Sequence, residues 1–410
     1  MNNTNFVDLL DYKDYNMAGN QTHNAFIEIN KTNFINNLIS IKKFVNHKLT
    51  NKKVLLCLPV KANAYGHDLI KTAIHTENYV DYFAVANLEE GIILRRSGIK
   101  KSILVFGAFT EAQIAGLIKY ELDITISSLH KAQLVADFCV RNNLSCKIHI
   151  KIDTGMNRIG VKTTSAFALI DFICKQASFE VVGIYSHFVA SDLISSNHDY
   201  DKTVDATITQ QQLSLFMPVV DYIKKLKPNI IAHIANSGAV CYHDNTYLDM
   251  VRPGILSYGY LPNNGMHIDK YLQNNIKPCF TLKSKVVYFK VIAANSGISY
   301  NHEYYTKEQT RIVTIAIGYG DGYRLQLSNC GEVIIRGKKY TISGRICMDM
   351  LMVDIGMENS AYVGDEVVLI GKQGDVEITL QSVSDKLHTI IYEILCSFTS
   401  RIPRIYIENQ

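Results

Sequence analysis

The chain has 410 residues, more than one hydrophobic core usually supports, so two domains are expected. Apolar residues make up 47% and charged residues 20%, a balance that excludes a disordered chain. The formal charge of +4 is small, and lysine pairs such as Lys42-Lys43 and Lys224-Lys225 stand isolated, which argues against a nucleic-acid partner.

Residues 1–24 carry Asp8, Asp11 and Asp14, lack a signal-length apolar run, and read as an N-terminal extension. A short strand at 26–29 and a helix at 32–46 follow. From residue 54 to 254 one pattern repeats: a short apolar strand, a polar residue at its end, then a helical stretch. The strands are expected at 54–60, 82–85, 103–106, 124–127, 147–152, 181–187, 230–234 and 249–252, with helices such as 89–96 and 164–175 between them. Strand–helix alternation implies parallel pairing, and eight units suggest a closed (β/α)8 barrel. A doubly wound open sheet is the alternative.

The pattern changes after Tyr260. A polar stretch, 262–265, and residues 271–278 read as a linker. Beyond it come alternating, β-branched runs at 281–292, 311–317, 332–336, 339–342, 352–355 and 366–370, punctuated by Gly337, Gly344 and Gly364. Helical periodicity is nearly absent until 380–387. The fold class is therefore α/β + β: a TIM-like (β/α)8 barrel over 25–262, then a mostly antiparallel β domain over 275–410. No segment reaches the length of a membrane span. The nine cysteines are dispersed, without Cys-x-x-Cys or a metal-like spacing, as expected of reduced thiols in a cytoplasmic protein.

In such a barrel, chemistry sits where strands end. The first barrel strand runs into Val60-Lys61-Ala62-Asn63-Ala64-Tyr65-Gly66-His67. Burial lowers the pKa of a lysine in that position, which suits a nucleophile toward a carbonyl. Taken alone, Lys61 is an ordinary strand-end lysine reaching for solvent. The eight-residue run, however, resembles the cofactor-lysine motif of the alanine racemase family nearly letter for letter. The resemblance extends over almost the whole chain from about Phe26.

That resemblance implies a pyridoxal 5'-phosphate enzyme that interconverts L- and D-alanine and supplies D-alanine for peptidoglycan. Lys61 matches the lysine that carries the cofactor, and Tyr65 the tyrosine that bonds its phosphate. His67 reads as structural. The segment Lys151-Ile152-Asp153-Thr154-Gly155-Met156-Asn157-Arg158 is similar to another family motif. Arg158 matches an arginine that reaches the cofactor's phenolic oxygen and the substrate carboxylate. Lys151 matches a lysine often carbamylated in the family; an inward lysine paired with a carboxylate is the plain alternative.

His187 matches the histidine linking the ring-facing arginine to the catalytic tyrosine. In His233-Ile234-Ala235-Asn236-Ser237 and Val251-Arg252-Pro253-Gly254-Ile255, the resemblance assigns Asn236 to cofactor binding. It gives the phosphate to Ser237 and to the backbone N–H groups of Gly254 and Ile255. Arg252 matches the residue facing the ring nitrogen. An arginine there only donates, so that nitrogen stays unprotonated.

In the β domain, the run 295–300 resembles the family segment that ends in the second catalytic base, Tyr300, with Asn301 where a glycine is usual. Met348, in Gly344-Arg345-Ile346-Cys347-Met348-Asp349-Met350, matches a residue whose backbone meets the substrate carboxylate. Both imply a homodimer with shared sites. Residues 317–322 match the segment placing a tyrosine in the entrance corridor. Ser400 stands where many members have tyrosine, which leaves selection for alanine open. The alternatives are a serine or broader amino-acid racemase of this fold, and a fold-related decarboxylase, which would need a carboxylate at Arg252. A pyridoxal-phosphate carrier protein would lack the β domain.

Overall fold

The computed structural model describes residues 23–48, 53–193 and 206–408. Most of the expected extension, residues 1–22, lies outside the described residues. The strands in chain order are β1 (Phe26–Asn30), β2 (Leu55–Pro59), β3 (Tyr82–Val85), β4 (Ser102–Val105), β5 (Asp123–Ile126), β6 (Cys146–Asp153), β7 (Val161–Lys162), β8 (Phe179–Tyr185), β9 (Ile231–His233) and β10 (Met250–Val251). They continue with β11 (Phe280–Ile292), β12 (Gly297–Ile298), β13 (Tyr304–Tyr305), β14 (Thr310–Ile315), β15 (Glu332–Ile335), β16 (Lys338–Thr341), β17 (Leu351–Asp354), β18 (Glu366–Gln373), β19 (Val376–Ile378) and β20 (Arg404–Ile407).

Residues 32–278 form one compact unit. Its sheet runs β10-β2-β3-β4-β5-β6-β8-β9, every pair parallel. The two ends join, because Asp249 N donates to Ala232 O and Arg252 N to Ala235 O, each at 2.9 Å. The barrel therefore closes, and the open-sheet alternative falls. Its strands are near-continuous apolar runs because both faces are covered; β3 is buried at all four positions. Some of its helices begin at a side-chain cap: Asn87 caps Leu88–Arg96 and Ser128 caps Leu129–Asn142. All eight expected strands are present; 82–85 coincides with β3, and the ends of the others differ by one or two residues.

Of the described residues, the second unit joins 23–31 to 279–408. Strand β11 alternates buried Phe280, Leu282, Ser284 and Val286 with less buried neighbours, the period-2 signature of a half-covered sheet. It pairs antiparallel with β1, β14 and β18, while β1 and β20 form a parallel pair. Strand β1 therefore belongs to this unit, whereas the sequence reading placed residue 25 at the start of the barrel domain. The expected linker also differs: Lys270–Asn275 is a helix capped by Asp269 and belongs to the barrel unit. No helix among the described residues is long and apolar enough to cross a membrane.

Candidate active site

Lys61 opens an unusual turn at the end of β2. Ala62, Asn63, Ala64 and Tyr65 all have φ between 51° and 54°, a run of left-handed backbone. For L-residues this costs about 1–2 kcal/mol each. Hydrogen bonds hold it. Glu90 accepts from Ala62 N (2.7 Å) and Ala86 N (2.8 Å), and Asn63 Oδ1 accepts from Leu69 N (2.8 Å). Gly66, at φ 79°, ends it. Strain of this kind, fixed by its surroundings, accumulates where function demands a particular placement.

The turn leaves Lys61 half-buried and carries the Tyr65 ring inward against Tyr258, with centroids 4.7 Å apart. The Tyr65 hydroxyl arrives beside Gly254. A Cβ on Gly254 would lie 2.7 Å from Tyr65 Oη and 3.9 Å from Ser237 Oγ, so side-chain-free backbone and two hydroxyls converge there. Ser237 Oγ accepts from Leu256 N at 3.2 Å. Asn236 acts as a cap: its Oδ1 accepts from Ala239 N (3.1 Å) and Ser191 Oγ (2.6 Å), which fixes the turn bearing Ser237. This donor set suits a phosphate monoester, whose oxygens only accept.

Arg252 is 4% exposed. Its Nη1 donates to His233 Nδ1 at 2.8 Å, and its Nη2 donates to the carbonyls of Ser186 (2.8 Å) and Ile234 (3.1 Å). His187 Nδ1 lies 3.4 Å from the same Nη2. Burial pushes Arg252 down to about 10, still charged at neutral pH. Burial, then Arg252, holds His187 well below the usual imidazole range, so it is neutral there.

Lys151 is 3% exposed on β6, its Nζ 4.8 Å from the Tyr185 ring centroid and 3.4 Å from Ile152 O. No carboxylate among the described residues forms an ion pair with it, so the paired-lysine alternative lacks its partner. Burial and the nearby Arg252 hold its amine far below the usual lysine range. Arg158 follows on the exposed loop after β6, reached through Asn157 at φ 54°. Ile255 is buried and begins a short turn, Ile255–Tyr258, directly after Gly254.

Within the β unit, three segments gather. Tyr300 is 64% exposed and Met348 52%. Ser299 Oγ donates to Arg345 O, and Tyr319 N and Gly320 N donate to the carbonyls of Cys347 (3.1 Å) and Met348 (2.8 Å). Asn301 has φ 61°, left-handed backbone that asparagine tolerates, which explains how it replaces a glycine. Arg401 bridges Asp349 (2.7 Å) and Asp321 (3.4 Å), beside exposed Ser400. Sequence reasoning left out His233, the imidazole that touches Arg252. Its signal was its place as the last residue of β9, a strand end like those of the other site residues.

A barrel with a lysine after its first strand, a hydroxyl-lined cradle after its last two, and a separate β unit presenting a tyrosine has the architecture of a barrel-type amino-acid racemase. The chain belongs to the alanine racemase family. The alanine racemase N-terminal domain matches residues 29–262 and the C-terminal domain residues 279–406. It is 38% identical to alanine racemase 2 of Caldanaerobacter subterraneus subsp. tengcongensis, over 93% of this chain and 94% of that one. It is 36% identical to the alanine racemase of Methanococcus maripaludis, over 94% and 99%. The solved alanine racemase of Clostridium difficile 630 superposes with a TM-score of 0.84 at 33% identity, covering 95% and 97% of the two chains.

Proposed function

We propose that the protein interconverts L- and D-alanine with pyridoxal 5'-phosphate, and so supplies D-alanine for peptidoglycan. The observation that carries this reading is the convergence of Tyr65 Oη and Ser237 Oγ on Gly254, in the barrel whose first strand, ending at Pro59, runs into the turn that Lys61 opens. Tyr65, Ser237 and the backbone of Gly254 and Ile255 would hold the phosphate, Asn236 acting through its cap. Bound there, the cofactor supplies an electron sink that makes the substrate's Cα–H acidic. Lys61 would be the residue that holds the cofactor and would serve one face of Cα, and Tyr300 would serve the other. Arg252, a donor that stays charged, would be the group toward the cofactor's ring nitrogen and would leave it unprotonated. Arg158 and the Met348 backbone take the substrate carboxylate. His187, neutral and beside Arg252, links that arginine to Tyr300.

Tyr300 and Met348 act in the barrel of a second copy, so the working form is a homodimer. Nine free cysteines suit a reducing cytoplasm. Lys151, as a free amine, adds to carbon dioxide with loss of one proton, and the resulting carbamate orients Arg158. Protein grown with 13C-bicarbonate should show a carbamate carbon that Lys151→Ala lacks; no such signal in the parent would remove that role.

Substrate choice is tested by a chiral assay on L-alanine and L-serine. Ser400 presents a small hydroxyl where an aromatic ring would fill space, so serine should be turned over measurably beside alanine. Ser400→Tyr should shift the kcat/KM ratio toward alanine by about tenfold, since one small group in a pocket discriminates by ~1–3 kcal/mol. An unchanged ratio would mean that Ser400 does not stand where relatives have tyrosine or that another side chain already closes the pocket, and no alanine racemisation would overturn the function.

A further inference from the structure

Four ionisable side chains from four barrel segments lie in line inside the barrel. Asp123 begins β5, His149 lies midway along β6, His233 ends β9 and Arg252 follows β10. All are buried: 1%, 0%, 0% and 4% exposed in that order. Arg252 Nη1 is 2.8 Å from His233 Nδ1, His233 Nε2 is 3.1 Å from His149 Nδ1, and His149 Nε2 is 3.3 Å from Asp123 Oδ2. The line thus runs from the strand-start end of the barrel to the mouth where the other site residues gather.

Hydrogen-bond arithmetic gives it one direction. A guanidinium only donates, so His233 Nδ1 must present a lone pair to Arg252. Burial, reinforced by Arg252, keeps the His233 ring neutral, and its single proton is therefore on Nε2. That proton goes to His149 Nδ1, which leaves the His149 proton on Nε2, facing the Asp123 carboxylate. Had His233 the other tautomer, an N–H would confront an N–H of Arg252, and the guanidinium would have to swing away.

The surroundings are shaped to this line. Gly183 on β8 is the register partner of His149, and a Cβ there would lie 2.2 Å from His149 Nδ1. Only glycine leaves the imidazole where it is. Tyr185 stacks on His233, with centroids 4.9 Å apart and planes 2° from parallel. Its hydroxyl donates to Thr125 Oγ1 at 2.8 Å, because the Thr125 proton is given to Val105 O at 2.6 Å. Gly183 thereby leaves room for the His149 ring, and Tyr185 fixes the plane of His233, which stands 74° from that of His149.

We propose that Asp123, His149 and His233 form a one-directional positioning relay that fixes the guanidinium of Arg252 at the barrel mouth. Asp123 is the anchor: as a pure acceptor it selects the His149 tautomer, which selects that of His233, which orients Arg252. None of the three touches the substrate. The relay rests on the geometry above; its effect on turnover rests on the reading of Arg252 as the ring-facing group.

The test begins with cofactor-free protein labelled with 15N-histidine, in which long-range 15N–1H couplings report tautomers. His149 and His233 should both carry Nε2–H. Asp123→Ala removes the terminal acceptor and should give mixed tautomers at both rings. Asp123→Asn, whose side-chain carbonyl still accepts, should keep the parental pattern. With cofactor bound, Asp123→Ala should lower kcat about tenfold, the scale at which outer partners act, with KM for alanine little changed and most of the loss recovered in Asp123→Asn. An Nδ1–H tautomer at His233 in the parent protein would overturn the relay, and so would unchanged histidine signals in Asp123→Ala. If Asp123→Ala fails to fold, the parent's tautomers still decide. Tautomers that shift in Asp123→Ala with unaltered turnover would uphold the relay and reject the ring-facing role of Arg252.

Discussion

Replacing Lys61 with alanine should abolish racemisation and, with it, the visible absorbance of lysine-bound cofactor. Lys61 follows Val60, just past the end of β2, and Glu90, Asn63 and backbone groups make hydrogen bonds that hold its turn. Alanine at 61 leaves those backbone hydrogen bonds in place, so the barrel should still fold, and a thermal melt reads whatever stability the lost side chain contributed. The other buried barrel lysine, Lys151, sits on β6 and cannot take over without leaving its strand. The decisive measurement pairs an absorbance spectrum of the reconstituted variant with a thermal melt. Retained visible absorbance together with turnover of alanine would show that Lys61 is not the attachment site. Loss of both with an unchanged melt separates chemistry from folding.

The barrel was legible because its strands are short, largely buried runs bounded by polar residues, β3 and β5 at every position, and burial on both faces leaves little else for such runs to be. The β domain was legible through its alternation, as β11 illustrates. Pairing between distant segments was not. Nothing local in Phe26–Asn30 announces that it joins β11 and β20 rather than the barrel, since partners more than 200 residues away decide it. Strand β20 and the helix Ile391–Ser397 were missed for a related reason: each is short, and its pattern is settled by what it packs on.

The site divides the same way. Lys61, Tyr65, Arg252 and Tyr300 were found through motif resemblance, but the left-handed turn that places Tyr65 was invisible. Asn63 and Gly66 are ordinary turn residues, whereas Ala62 and Ala64 have no preference for positive φ. Likewise His149 and Asp123 read as isolated polar residues in apolar strands. Only the closed barrel brings them within hydrogen-bonding distance of each other and of His233.

The sharpest test of the two-base reading is Tyr300→Phe. Phenylalanine keeps the ring and removes the one atom that exchanges a proton. Because Tyr300 is 64% exposed in the β unit, the change should cost little stability. Each base serves one face of Cα, so proton abstraction from L-alanine should fall by at least about 100-fold, the size of effect a positioned base supplies. Abstraction from D-alanine, left to Lys61, should fall far less. Deuterium wash-in from each enantiomer, measured separately, reads this directly, and equal losses would count against assigning the two bases to two faces. The same variant decides whether sites are shared. Mixed with Lys61→Ala under conditions where subunits exchange, Tyr300→Phe should regain activity, because one hybrid site then combines an intact Lys61 with an intact Tyr300. Random pairing makes half of the dimers hybrids with one working site in two, so recovery should approach about a quarter of the parent's rate. No recovery despite demonstrated exchange would place Tyr300 in the barrel of its own chain.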